Sequence, residues 1–285
     1  MKLHGGDKVE YCGKSLDGFE YAFSSLLLAN GVNADPLPSL DCLSFRSFAF
    51  SGSGNVRDWF RPAAEWRFYL PTLAENLGCA DMLEVRSSQD TPPDAFPIWT
   101  LVGEAPYPGQ RTSVRSKFYS GTPPFLLCKR VPGRGEVIVC DPMGGSFDLV
   151  EEDALLARLR RSHGFLASFH EPPAVHVAPM EAVLDQALTW REACGQGIAA
   201  KDFPFAEHYH GSTQEQISLH YGLMNGCVQM DKTIRFFANA GFLPAPVLER
   251  LMQMLTSLSD VWKNGRFEVL HQLDETLWAA LEKAR

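Results

Sequence analysis

The sequence has no stretch approaching the roughly 18 consecutive apolar residues that cross a bilayer, so a membrane-spanning helix is not expected. Its opening residues, Met1 to Asp7, hold no apolar core of the kind a secretory signal carries, and no signal peptide is expected. The seven cysteines, at positions 12, 42, 79, 128, 140, 194 and 227, include no CxxC pair. An odd number of scattered thiols argues against a disulfide framework or a zinc knuckle and for a reducing, cytoplasmic setting. A net charge of −8 argues against nucleic acid as the main partner. No Gly-Lys-Ser/Thr phosphate loop and no GxSxG elbow occurs, so neither a nucleotide cofactor nor a serine triad is expected.

One further absence is local. From Ala105 to Gly135 there is no acidic residue, while Arg111, Arg115, Lys117, Lys129, Arg130 and Arg134 all fall there. A field of one sign attracts an acidic or phosphorylated partner, unless acids elsewhere in the fold balance it.

The 285 residues suffice for one large domain or two smaller ones. A helix is expected after residue 12, with Leu16, Phe19, Phe23 and Leu26 on one face and a stop at Asn30-Gly31. Pro71 to Leu77 reads as a short helix that begins with proline and ends at Gly78. Strands are expected at Met82–Arg86, Pro97–Gly103, Phe125–Val131, Glu136–Cys140 and Phe165–His170. The third and fourth are joined by Pro132-Gly133-Arg134-Gly135, a strong hairpin signal. A helix is expected over Glu151–Arg161.

After Glu171-Pro172-Pro173 the strand signals vanish. Helices are expected over Pro179–Cys194, from a capping box at Ser212–Glu215 to about Gly241, from Pro244 onward, and around Leu270, Leu273, Leu277 and Leu281. The fold class is therefore α+β: an α/β domain over 1–173 and a helical domain over 174–285, whose apolar faces suit an internal core or a homodimer.

Two short motifs carry chemistry. Tyr11-Cys12-Gly13 precedes the first helix, where the macrodipole favours a thiolate and the glycine lets backbone approach a carbonyl. The second hairpin strand runs Val137-Ile138-Val139-Cys140 into Asp141-Pro142, and a carboxylate at a strand end can orient a histidine. Each also has an ordinary reading, as a packed thiol and a turn aspartate.

With the order Cys-Gly, helix, hairpin, Asp-Pro, helix and strand, residues 8–170 resemble the papain-like domain of double-glycine leader peptidases and, more closely, of the butirosin acyltransferase type. The resemblance implies a papain-like fold with Cys12 as acyl-accepting nucleophile and Asp141 as supporting carboxylate. It implies an acyl carrier protein as thioester donor, a small-molecule acyl acceptor and a natural-product pathway. Docking of the acidic carrier falls to Arg111, Arg115, Lys117, Lys129 and Arg130.

The family histidine is missing: Ser120 to Leu127 contains none, and no oxyanion glutamine precedes Cys12. Without a base, peptide hydrolysis is disfavoured more than thioester exchange, whose leaving thiolate needs little protonation. His4, His208, His210 and His220 are the substitutes, and His210 is taken as the candidate. Two histidines without clustered carboxylates or thiols are weak support for a metal, and none is expected. The alternatives to an acyltransferase are a catalytically inactive papain-like binding module and, third, a cysteine peptidase or amidase.

Overall fold

The computed structural model describes residues 18–45, 66–92, 94–103, 125–142, 146–194, 228, 230–264 and 268–285. They divide into two compact units, one drawn from residues 1–37 and 66–177, the other from 38–65 and 178–285.

The first unit is built on an antiparallel six-stranded sheet, ordered β1-β6-β2-β3-β4-β5. Its strands are β1 (Leu83–Ser87), β2 (Thr100–Gly103), β3 (Phe125–Arg130), β4 (Glu136–Asp141), β5 (Ser146–Glu151) and β6 (Phe165–Phe169). β3 reads as a continuous apolar run because it is central and buried on both faces. β5 was not expected from the sequence; its large apolar residues, Phe147 and Leu149, are exposed, so it lacks a buried stripe. β2 is shorter than the apolar run that announced it. Pro97 has no N–H to give, the chain bends at 97 and 98, and Arg130 N donates to Phe96 O at 2.7 Å instead.

Register fixes two faces. Leu127 pairs with Cys140 and Cys128 with Val139, so the odd residues of β3 share a face with the even residues of β4. On that face lie helices α1 (Gly18–Ala29) and α3 (Trp66–Asn76). Phe19 of α1 meets Phe125 at 5.4 Å and Tyr69 at 5.1 Å, and Tyr69 meets Phe165 at 6.4 Å. Gly103 lies in register with both Phe125 and Phe165, and a Cβ there would stand 2.6 Å from Phe165 Cζ. Only glycine leaves room for the two rings to close over β2.

The other face carries Val102, Leu126, Cys128, Val137 and Leu166 against Leu155, Leu156 and Leu159 of helix α4 (Glu152–Arg161). That helix has acids in its first turn and arginines in its last, as the dipole favours.

α1 buries Phe19, Ala22, Phe23, Leu26 and Leu27 at three- and four-residue steps and stops at Gly31, φ +85°. The proline-first expectation for α3 is corrected. The helix begins five residues earlier, at Trp66, and Pro71 sits inside it with its ring exposed. Burial of Tyr69, Leu70, Leu73 and Leu77 outweighs the one backbone bond a proline removes.

The second unit is helical: α2 (Leu40–Leu43), α5 (Met180–Cys194), α6 (residues 230–239), α7 (Ala245–Asn264) and α8 (Glu268–Ala284). The expected stripes of α5 (Val183, Ala187, Trp190) and α8 (Leu270, Leu273, Leu277, Leu281) are buried within it. α8 thus uses its stripe internally. Buried carboxylates join segments far apart in sequence. Asp41, fully buried, pairs with Lys232 at 3.1 Å. Asp274 of α8 pairs with Arg191 of α5 and accepts from Trp278 Nε1 at 3.1 Å. The Ser212–Glu215 capping box lies outside the described residues. No helix among the described residues is long and apolar enough to cross a membrane.

Candidate functional site

The candidate site is one end of the sheet. Gly103 ends β2, Phe125 begins β3, Asp141 ends β4 and Phe165 begins β6, and the pairings Gly103–Phe125 and Gly103–Phe165 bring three of these together. Asp141 joins them because Leu127, two residues into β3, pairs with Cys140. The Phe19–Phe125 ring contact sets the amino end of α1 at this same end of the sheet.

Asp141 is buried, pairs in register with Ser146 and is followed by a buried Pro142. By alternation it falls with Val137 and Val139, on the α4 face, whereas α1 lies on the opposite face. Glu20, in the first turn of α1, is a second buried carboxylate. Sequence reasoning passed over it because a single acid in an apolar helix carries no motif.

Cys12 and His210 lie outside the described residues, as do His4, His208 and His220. Arg111, Arg115 and Lys117 do too. Lys129 and Arg130, by contrast, are placed. Arg130 forms ion pairs with Asp94 and, at 3.0 Å, with the nearly buried Glu152, which also accepts from Ala95 N. It therefore fastens β3 to α4 and to the turn before β2, and its charge is matched by one buried and one exposed carboxylate. Lys129 stands 5.6 Å from the centre of the Trp99 ring.

Four cysteines, at 42, 79, 128 and 140, are buried free thiols. Burial pushes the Cys79 thiol up to about 11. It pushes Cys140 up to about 12, with the Asp141 charge next door adding to the effect. Cys128 is pushed up as well, by burial first and by Cys140 second. A thiol held protonated behind side chains is a poor nucleophile.

The described histidines are engaged elsewhere. His163 faces Gln89, His170 faces Glu171, the ring of His176 lies against Gly78, and His271 faces Glu275 at 3.2 Å. Among the described residues, no three His, Cys, Asp or Glu side chains form a metal-holding group.

No protein-family model, no curated protein and no solved structure matches this chain.

Proposed function

We propose that the chain is a cysteine-dependent acyltransferase of papain-like build, with Cys12 as its nucleophile. The Cys12 thiolate attacks the carbonyl of an acyl thioester on a carrier protein. A new carbon–sulfur bond forms and the carrier leaves as its thiolate. A small amine then attacks the acyl-enzyme, the Cys12 thiolate departs, and a base takes the amine proton; His210 is the candidate base. The observation that carries this reading is the Phe19–Phe125 contact, which sets the amino end of α1 at the sheet end that bears Asp141. The placed thiols add support. Cys42, Cys79, Cys128 and Cys140 are buried, the last three with raised pKa values, which leaves the reactive role to Cys12, Cys194 or Cys227. Free buried thiols also fit a reducing, cytoplasmic compartment. Because Arg130 is committed to Glu152 and Asp94, carrier docking rests on Arg111, Arg115 and Lys117, with Lys129 at its margin.

The test is incubation with acylated carrier protein followed by intact mass and peptide mapping. An acyl adduct on Cys12, absent from Cys12→Ala, is the expected result. Equal turnover by Cys12→Ala removes the nucleophile.

A second reading is a catalytically inactive papain-like binding module. The register parity of Asp141, on the face away from α1, favours it. The rate of thiol alkylation between about pH 6 and 7 separates the two: a thiolate-forming Cys12 reacts far faster than a free cysteine, and an inactive one does not.

A further inference from the structure

Among the described strands β5 is the outermost, and it pairs with β4 over six consecutive positions, Glu136–Glu151 through Asp141–Ser146, with no bulge. It contains no proline and no lysine, two devices by which exposed edges are usually blunted, and its two charged residues, Asp148 and Glu151, are both acidic. The opposite edge differs. β1 carries Glu84 and Arg86 paired to each other, with Arg86 Nε donating to Glu84 at 2.6 Å.

The hydrogen-bonding sense of β5 follows from one bond. Glu152 N donates to Gly135 O at 3.0 Å. Bonded pairs alternate in an antiparallel ladder, so Val150, Asp148 and Ser146 turn their backbone toward β4. The N–H and C=O groups of Phe147, Leu149 and Glu151 point away from the sheet. The same three residues share one face by alternation. On it Phe147 is 42 % and Leu149 49 % exposed, and Glu151 is exposed in register with Glu136. Glu136 is met by Arg134 at 3.6 Å, whereas Glu151 and, on the other face, Asp148 form no ion pair among the described residues. Like charges directly opposite each other destabilise a strand pair, so a cation beside Glu151 is favoured.

Outward-facing backbone groups, two large exposed apolar side chains and carboxylates without an ion pair among the described residues thus coincide on one strand. We propose that β5 accepts an extended basic peptide segment as an added strand, with apolar residues opposite Phe147 and Leu149 and a lysine or arginine opposite Glu151. Strand addition of this kind takes affinity from main-chain bonds and selectivity from alternate side chains. A second copy of the chain fits less well. Pairing Phe147 with Leu149 of a second copy sets Asp148 against Asp148, and the next register sets Phe147 against Glu151. The inference does not depend on the acyl-transfer reading.

The experiment uses the full chain and a fluorescein-labelled synthetic peptide alternating leucine, threonine and lysine, with a scrambled peptide and a glutamate-for-lysine peptide as controls. Anisotropy is expected to show saturable binding of the alternating peptide only. Leu149→Lys and, as a second variant at an exposed site, Phe147→Thr are each expected to weaken it about tenfold. Hydrogen exchange is expected to slow at the amides of 147, 149 and 151 and to stay unchanged at 148 and 150. Equal binding of the scrambled peptide, absence of saturable binding, or unchanged exchange at those three amides overturns the proposal. So does concentration-dependent self-association that Leu149→Lys abolishes, since the edge then belongs to a second copy.

Discussion

Both units combine ring packing with ion pairs to buried carboxylates, including Arg130–Glu152 in the sheet unit and the Phe45–Trp190 rings in the helical one, but they lean on them differently. In the sheet unit, rings from α1, α3, β3 and β6 (Phe19, Tyr69, Phe125, Phe165) lock over a glycine in β2. In the helical unit, two of the fastenings are buried carboxylates paired with cations 191 and 83 residues away, Asp41 with Lys232 and Asp274 with Arg191. Aromatic packing is tolerant of pH and sensitive to shape. A buried ion pair is the reverse: it costs desolvation, and its balance shifts with protonation. The units should therefore fail under different insults, and this difference can be tested.

The largest effect is expected at the ring cluster. Phe165→Ala removes a fully enclosed ring that touches Tyr69 and Phe125, and should cost about 3–5 kcal/mol. Gly103→Ala drives a methyl into the same ring and should cost about 1–3 kcal/mol by overpacking. The two sites share one volume, so Gly103→Ala in a Phe165→Leu background should cost less than in the native chain. Denaturant midpoints of the four proteins measure this. Additive losses would show that the glycine is there for another reason.

The helical unit should respond to charge. Arg191 is 30 % exposed, so it can turn toward water when its partner goes. Asp274→Ala should therefore cost about 2–3 kcal/mol, below the range for a fully enclosed pair. Burial pushes the Asp274 carboxyl above its ordinary value of 3.8, with Arg191 and the Trp278 N–H pulling the other way. The folded chain then holds a proton that the unfolded chain has released, so stability falls as pH climbs from 3.8 through the raised value and levels off above it. Asp274→Asn should flatten that slope and Phe165→Ala should leave it intact. A slope unchanged in Asp274→Asn would show that another group sets the acid response.

Much of this architecture is legible from short-range pattern. The hairpin around Pro132-Gly133-Arg134-Gly135 can be read because its turn residues and its two apolar runs agree, and Gly133 has φ +72°. The stripes of α1, α5 and α8 announce themselves by spacing. β5 does not, because an edge strand with its large apolar residues in solvent has no buried face to write a pattern. α3 misleads because Pro71 marks a start in most helices, and here the packing of Tyr69 and Leu70 carries the helix back past it. At the candidate site, Asp141 is legible as a strand-end carboxylate, but which face it takes depends on register across β3 and β4. The commitment of Arg130 to Glu152, across 22 residues and two elements, leaves no local trace at all.

The smallest expected effect concerns a feature the two units share. α1, α3 and α6 all end in the same cap. The amide after a left-handed glycine reaches back five residues (Val32 to Leu27, Cys79 to Ala74, Phe242 to Phe237), and the glycine amide reaches back three. Alanine at any of the three glycines should cost about 1 kcal/mol for the left-handed backbone alone. At Gly31 and Gly241 a Cβ meets nothing within 4 Å, so that is the whole cost. At Gly78 the Cβ runs into the His176 ring, an exposed side chain whose amide donates to Leu77 O at 3.0 Å. Gly78→Ala should therefore exceed the other two by a few tenths of a kcal/mol as the ring swings aside. His176→Ala should bring it back to their level. If all three substitutions cost the same, the ring yields freely. If Gly78→Ala stays worse even without the imidazole, the backbone of 77 and 176 is what resists.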